Sequence, residues 1–246
     1  MREISEQPQL SERDSTLSQS LLGGPLKLIA HELRSPLTSL RLALQIGLGR
    51  VQRGRTIEPT TFEKALAQVD DLAALITALS DAAIIASGEF QLELEAVDIV
   101  ELLQEATGRV RHSDAKHPLQ FNPPRASTYV LVDRHFLVPA IASLIDNACK
   151  FSPRLSHVRV SMDTTDREVH FSIADCGIGV PVLERERVFE LFYRASNASR
   201  TSTQGLGLGL FTAREIIARH DGRIWLESEL DQGSTFHVSL PVHLID

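Results

Sequence analysis

From Pro25 onward, Leu26, Ile29, Leu33, Leu37, Leu40, Leu44, Leu48 and Val51 recur at steps of three or four, the apolar stripe of an amphipathic helix. Pro25 suits a first helical turn, where its missing N–H leaves no partner unmet. Pro36 lies inside the stripe, removes one backbone hydrogen bond and predicts a kink just after His31. A polar break from Gly54 to Pro59 is followed by Phe62, Leu66, Val69, Ala73, Ile76 and Ala83, again at helical steps, until Ser87-Gly88. The two stripes predict a helical hairpin. Two helices alone bury little apolar surface, so pairing of two chains into a four-helix bundle, a homodimer, is the expected solution. Packing of the hairpin on the rest of its own chain is the alternative.

The flanks of the hairpin differ in texture. Residues 1–20 are polar and carry no apolar period, which predicts a tail or linker, and Gly23-Gly24-Pro25 is expected to interrupt any helix extending upstream. Beyond Gly88, Phe90, Leu92 and Leu94 alternate with polar residues as in a half-buried strand, and Ile99 to Val110 repeats as a helix. Strands are expected at Tyr129–Val132, Val158–Met162, Val169–Ile173, Arg223–Glu227 and Thr235–Leu240, with helices near Leu137–Ala148 and Leu206–His220. The chain thus divides into a tail (1–20), a hairpin (21–88) and an α+β layer domain (89–246).

Composition narrows the class. The 246 residues are 43% hydrophobic and 23% charged with a net charge of -7, which fits a globular protein and offers no basic stripe for a nucleic-acid backbone. No apolar run approaches the ~18 residues of a membrane span, and Met1-Arg2-Glu3-Ile4-Ser5-Glu6 lacks the core of a secretory signal. A cytoplasmic location without membrane contact by the chain itself is expected, either as a soluble protein or as the cytoplasmic part of a membrane receptor. Cys149 and Cys176 form neither a CxxC nor a ligand set, and the histidines other than His31 show no metal-binding spacing.

Two glycine-rich segments carry candidate chemistry. Asp175-Cys176-Gly177-Ile178-Gly179 follows a predicted strand, and Gln204-Gly205-Leu206-Gly207-Leu208-Gly209-Leu210 opens a predicted helix. Glycines let backbone approach a ligand, and a helix N-terminus offers free N–H groups to phosphate. The spacing fits neither the dinucleotide fingerprint nor the ordinary phosphate loop. Asp175 is a candidate acceptor for an adenine amino group, or a turn-capping aspartate.

With these segments in hand, the chain resembles the sensor histidine kinases across residues 25 to 241. His31-Glu32-Leu33-Arg34-Ser35-Pro36-Leu37 is similar to the family's phosphoacceptor box, and Leu144 to Phe151, with Asp146-Asn147, to its N box. Asp175 to Pro181 resembles the first glycine box, Phe189 to Arg194 the F box, Gly205 to Leu210 the second glycine box, and His220 to Trp225 with Gly233-Ser234-Thr235-Phe236 the closing segment. The resemblance implies a dimeric helical hairpin joined to an α/β sandwich shared with gyrase-type ATPases. It implies autophosphorylation of His31 from ATP, then transfer to an aspartate of a separate response regulator.

Roles follow by the same resemblance. A neutral imidazole at His31 is the nucleophile, and Glu32 orients its ring or takes its proton. Asn147 is the Mg2+ ligand, Lys150 a phosphate contact, and Arg194 the group that stabilises charge on the γ-phosphoryl. Asp175, Gly177, Gly179, Gln204, Gly205, Gly207, Gly209 and Thr235 complete the ATP site, with residues 195–204 as a lid in which Arg200 and Gln204 are candidates. Ser143 replaces the asparagine usual four positions before Asn147, which predicts weaker nucleotide affinity, and Ser35 replaces the usual Thr or Asn four positions after His31, which bears on phosphatase activity. A nucleotide-switched binding module without turnover is the rival reading. A serine kinase acting on a transcription factor leaves the hairpin unexplained.

Overall fold

This computed structural model describes residues 10–88, 91–113, 117–124, 127–200 and 205–243, with side chains described except at 10–26, 111–113 and 199–200. Two compact units emerge, Met1–Ile76 and Thr77–Asp246.

In the first unit, α1 (Leu10–Gln52) and the start of α2 (Pro59–Ser87) form the expected hairpin. α1 starts well before Pro25. Its helical backbone runs through Gly23-Gly24-Pro25, so the expected upstream interruption is not found, and it continues past Pro36, where a kink was expected. A glycine costs a helix only about 1 kcal/mol, which the cooperativity of a long helix absorbs. Pro36 has no N–H to offer the Glu32 carbonyl, and two residues on the Thr38 hydroxyl donates to the Arg34 carbonyl at 2.8 Å. The loop is closed by an ion pair, Arg50 Nη1 to Glu58 Oε1 at 2.7 Å. Ala65 and Pro36 are buried, whereas Leu42, Leu44, Ile46, Phe62 and Leu66 stay exposed.

The second unit is a helix layer on a mixed sheet. Strands β2 (Leu119–Phe121), β4 (Val158–Thr164), β5 (Glu168–Ala174), β6 (Arg223–Glu229) and β7 (Gly233–Pro241) are ordered β2-β4-β5-β7-β6, with β2 parallel to β4 and the other pairs antiparallel. β1 (Glu95–Asp98) pairs with β3 (Tyr129–Val132) in a separate ribbon. Alternation along β5 buries Val169, Phe171 and Ile173 against α3 (Ile99–Ser113), α4 (Arg134–Phe151) and α5 (Gly209–Arg219), while His170 and Ser172 face away. Ile99, Leu102, Ile141, Leu144 and Ile217 fill the layer between helices and sheet.

Two differences from the pattern-based expectation have local causes. The first strand occupies Glu95–Asp98 rather than the alternating run before it, because pairing with β3 through Val97 and Val130 fixes the register. α5 begins at Gly209, not Leu206, since Gly207 holds φ at +69° and cannot continue a right-handed helix.

Candidate active site

α4 sets the first wall of a cavity in the second unit. Its apolar face, including Leu137, Ile141, Leu144 and Ile145, is buried in the core. The cavity-lining residues Ser143, Asp146, Asn147 and Lys150 therefore sit on the other side of the helix. Asp146 and Lys150 form an i,i+4 ion pair at 2.5 Å. The start of α4 is fixed by Asp133, whose Oδ1 accepts the His135 N–H at 2.9 Å and whose Oδ2 accepts the Glu93 N–H at 2.9 Å. The Asp133 N–H in turn donates to Nε2 of buried His220 at 2.9 Å, and His220 Nδ1 meets the Ile216 carbonyl at 2.7 Å. That pairing makes Nδ1 the protonated nitrogen and ties the end of α5 to the cap of α4.

The first glycine segment forms the floor. Asp175 donates its N–H to the Ser234 carbonyl at 2.8 Å, and its Oδ1 accepts the Gly177 N–H at 2.7 Å. Burial of the Asp175 carboxyl to 9% exposure pushes its pKa up to about 6, against the opposing pull of the Gly177 and Ser234 backbone N–H groups. Gly179 adopts φ +64° against the Glu229 carbonyl, where a side chain finds no room. Next to it, the Val180 N–H donates to Ser228 Oγ at 2.8 Å, and Ser228 donates within a buried cluster to the Gly233 carbonyl at 2.9 Å.

The F segment and the second glycine segment complete the wall. Phe189 packs edge-on to Phe236, and Phe192 takes φ +64°, turning the chain into Tyr193 and Arg194. The Arg187 guanidinium lies 4.3 Å from the centre of the Tyr193 ring. At Gly207 a Cβ would meet the Tyr193 carbonyl at 2.5 Å, so the two segments touch through backbone. Asn147, Lys150, Asp175, Gly179, Arg194, Gly205, Gly207 and Gly209 share the wall of one cavity of about 240 Å³, with the N-terminus of α5 exposed to it.

Other expected site residues lie elsewhere. Gly177 is buried behind Asp175 and does not reach the cavity. Thr235 also stays out of the wall: its neighbours Ser234 and Phe236 line the cavity, and strand alternation sends Thr235 to the opposite face. Gln204 falls outside the described residues, as does the Arg200 side chain. In the hairpin, His31 is exposed while Glu32 is buried at 7% exposure. Ser228 falls outside every motif, whereas Ser234 lies within the closing segment and Asn197 within the expected lid without being given a role there. For Ser234 the parity of β7 was an available signal.

Residues 132–244 match the model of the histidine kinase-, DNA gyrase B- and HSP90-like ATPase family. The chain is 30% identical over 217 residues to the sensor histidine kinase WalK of Bacillus subtilis, covering 87% of this chain and 35% of the relative. This chain is homologous to the sensor histidine kinases. The sensor-like histidine kinase SenX3 of Mycolicibacterium smegmatis is 31% identical over 214 residues, covering 87% of this chain and 56% of SenX3. Among solved structures, the Acinetobacter baumannii histidine kinase AdeS superposes with a TM-score of 0.66 at 24% identity, covering 87% of this chain and 98% of that one, which supports the fold of hairpin and α/β layer. The chain spans only part of these kinases, about a third of WalK and just over half of SenX3.

The residues present fit a nucleotide carrying a hard cation. The cavity combines a buried carboxyl for a base, glycine backbone, a helix N-terminus for phosphate, and the carboxamide of Asn147. Among the described residues no group of three His, Cys, Asp or Glu is placed to hold a metal. A single amide oxygen beside phosphates suits Mg2+, which retains most of its waters. No helix among the described residues is long and apolar enough to cross a membrane.

Proposed function

We propose that this chain is the transmitter part of a two-component sensor kinase, binding ATP in the second unit and phosphorylating its own His31. The observation that carries the proposal is the convergence of Asn147, Lys150, Arg194 and the second glycine segment on the cavity that also holds the buried Asp175 carboxyl.

Asp175 accepts a hydrogen bond from the adenine amino group. The Gly205–Gly209 backbone and the first N–H groups of α5 cradle the phosphates, with Lys150 adding charge. Asn147 holds Mg2+, which when bound neutralises phosphate charge. A neutral His31 ring nitrogen attacks the γ-phosphorus, the bond to the leaving ADP oxygen breaks, and Arg194 stabilises the charge that develops. The proton of the reacting imidazole passes to Glu32 or solvent. The phosphoryl group then moves from His31 to an aspartate of a response regulator.

The exposed apolar side chains of the hairpin, Leu42, Ile46 and Leu66 among them, support a homodimer in which a second hairpin covers them. Ser143 in the cavity wall favours a second reading, a nucleotide-switched module that does not turn over. Incubation with Mg2+ and γ-labelled ATP separates the two. Label that is acid-labile, base-stable, absent from His31→Ala and discharged by a receiver domain supports the kinase. Nucleotide binding without label supports the module.

A further inference from the structure

Two side chains pin the segment that follows Arg194. Glu184, in the short turn after the first glycine segment, accepts the Ser196 N–H at 2.8 Å and the Ser196 hydroxyl at 2.7 Å. These bonds hold the Glu184 carboxyl below the usual carboxylate range. From the next residue, Asn197 Nδ2 donates to the Gly179 carbonyl at 2.9 Å and makes a longer contact of 3.4 Å with the Ile178 carbonyl. Its partner is a fixed post: Gly179 is wedged at positive φ against the Glu229 carbonyl, and the Ile178 carbonyl accepts the Asp231 N–H at 3.0 Å.

The other half of the Asn197 amide is unsatisfied. Oδ1 is buried and has no hydrogen-bond partner among the described residues. Turning the amide over would set Oδ1 against two carbonyl oxygens, so the observed orientation is the one the surroundings dictate. Asn197 lines the cavity that Arg194 also lines, three residues away along the pinned segment.

We infer that Asn197 is a positioning residue, holding the Arg194 segment in register with the first glycine segment so that the guanidinium meets the γ-phosphoryl group. This rests on the kinase reading above.

The test is a comparison of Asn197→Ala and Asn197→Asp with the parent chain, in single-turnover phosphorylation of His31, adenine nucleotide affinity and thermal unfolding. Asn197→Asp keeps the shape but replaces the donor with a carboxylate oxygen facing carbonyls. The expected result is a transfer rate lower by about tenfold in both variants, the factor for one net hydrogen bond. Nucleotide affinity falls less than the rate does, and the unfolding midpoint of Asn197→Ala drops by no more than the ~2–4 °C that one net hydrogen bond is worth in a chain of this size. In an Arg194→Ala background, Asn197→Ala has no further effect on transfer. A rate unchanged in both variants, a loss of nucleotide affinity as large as the loss of rate, or an undiminished effect in the Arg194→Ala background would each overturn the inference. A parent chain that binds nucleotide but never phosphorylates His31 overturns instead the function on which it rests.

Discussion

Asp175 shows how much one buried carboxyl decides. Its pKa of about 6 lies above the ordinary aspartate value near 3.9, so the folded chain binds the extra proton between those two pH values. The nucleotide-free fold accordingly loses stability as pH rises through that window, and the penalty is complete above it. A donor from an adenine amino group favours the ionised carboxylate and opposes the penalty. Adenine nucleotide affinity should therefore rise with pH through about 6 and level off above it. Asp175→Asn should flatten that profile and weaken binding about tenfold or more, the range for a hydrogen bond to a charged group. Calorimetric titrations from pH 5 to pH 8 measure both. The aspartate was legible in the sequence because it sits beside two glycines at the end of a strand. Asn197 was not: its importance comes from the Gly179 carbonyl, eighteen positions away, and no local pattern announces such a contact. Thr235 was expected in the site, although Phe236, an apolar neighbour on the same strand, already fixes which face is inward.

At the level of elements, α4 supplies one wall of the candidate site and α5 opens its N-terminus onto it, and His220 joins the two helices. Burial lowers the pKa of His220, and its Nε2 is committed as the acceptor for the Asp133 N–H. A folded value below the ordinary 6.5 means that the unfolded chain takes the proton first. The stabilising contribution is complete above about 6.5 and is lost as pH falls towards the folded value. His220→Ala should cost about 1–3 kcal/mol at pH 7 by leaving the Asp133 N–H without its acceptor, and should shrink the loss of stability on acidification. Urea unfolding at pH 7 and pH 5 checks both expectations. The long helices and the strands β4, β5, β6 and β7 were legible because periodicity and turn residues specify them. Strand β2, only Leu119 to Phe121, was too short for any alternation to register, and it exists through its pairing with β4. The continuity of α1 through Gly23-Gly24-Pro25 shows the opposite failure, in which local breakers were given more weight than the helix they interrupt.

For the whole molecule, motif order gave the family, whereas the meeting of four separate segments around one cavity needed the fold. The hairpin leaves Leu42 at 56% and Ile46 at 49% exposure, on a helix whose apolar stripe its own partner helix does not cover. If a second chain covers them, light scattering should find twice the 27.2 kDa chain mass, and Leu42→Glu with Ile46→Glu should return the species to the chain mass. Everything proposed for this chain turns on phosphorylation of His31 by nucleotide held in the second unit. The most direct measurement is mass-spectrometric localisation of phosphate, at neutral to basic pH, after a single turnover with Mg2+ and ATP. Phosphate is expected on the peptide containing His31 in the parent chain, and none in either His31→Gln or Asn147→Ala. Phosphate on another residue, or undiminished phosphate on His31 in Asn147→Ala, would contradict it.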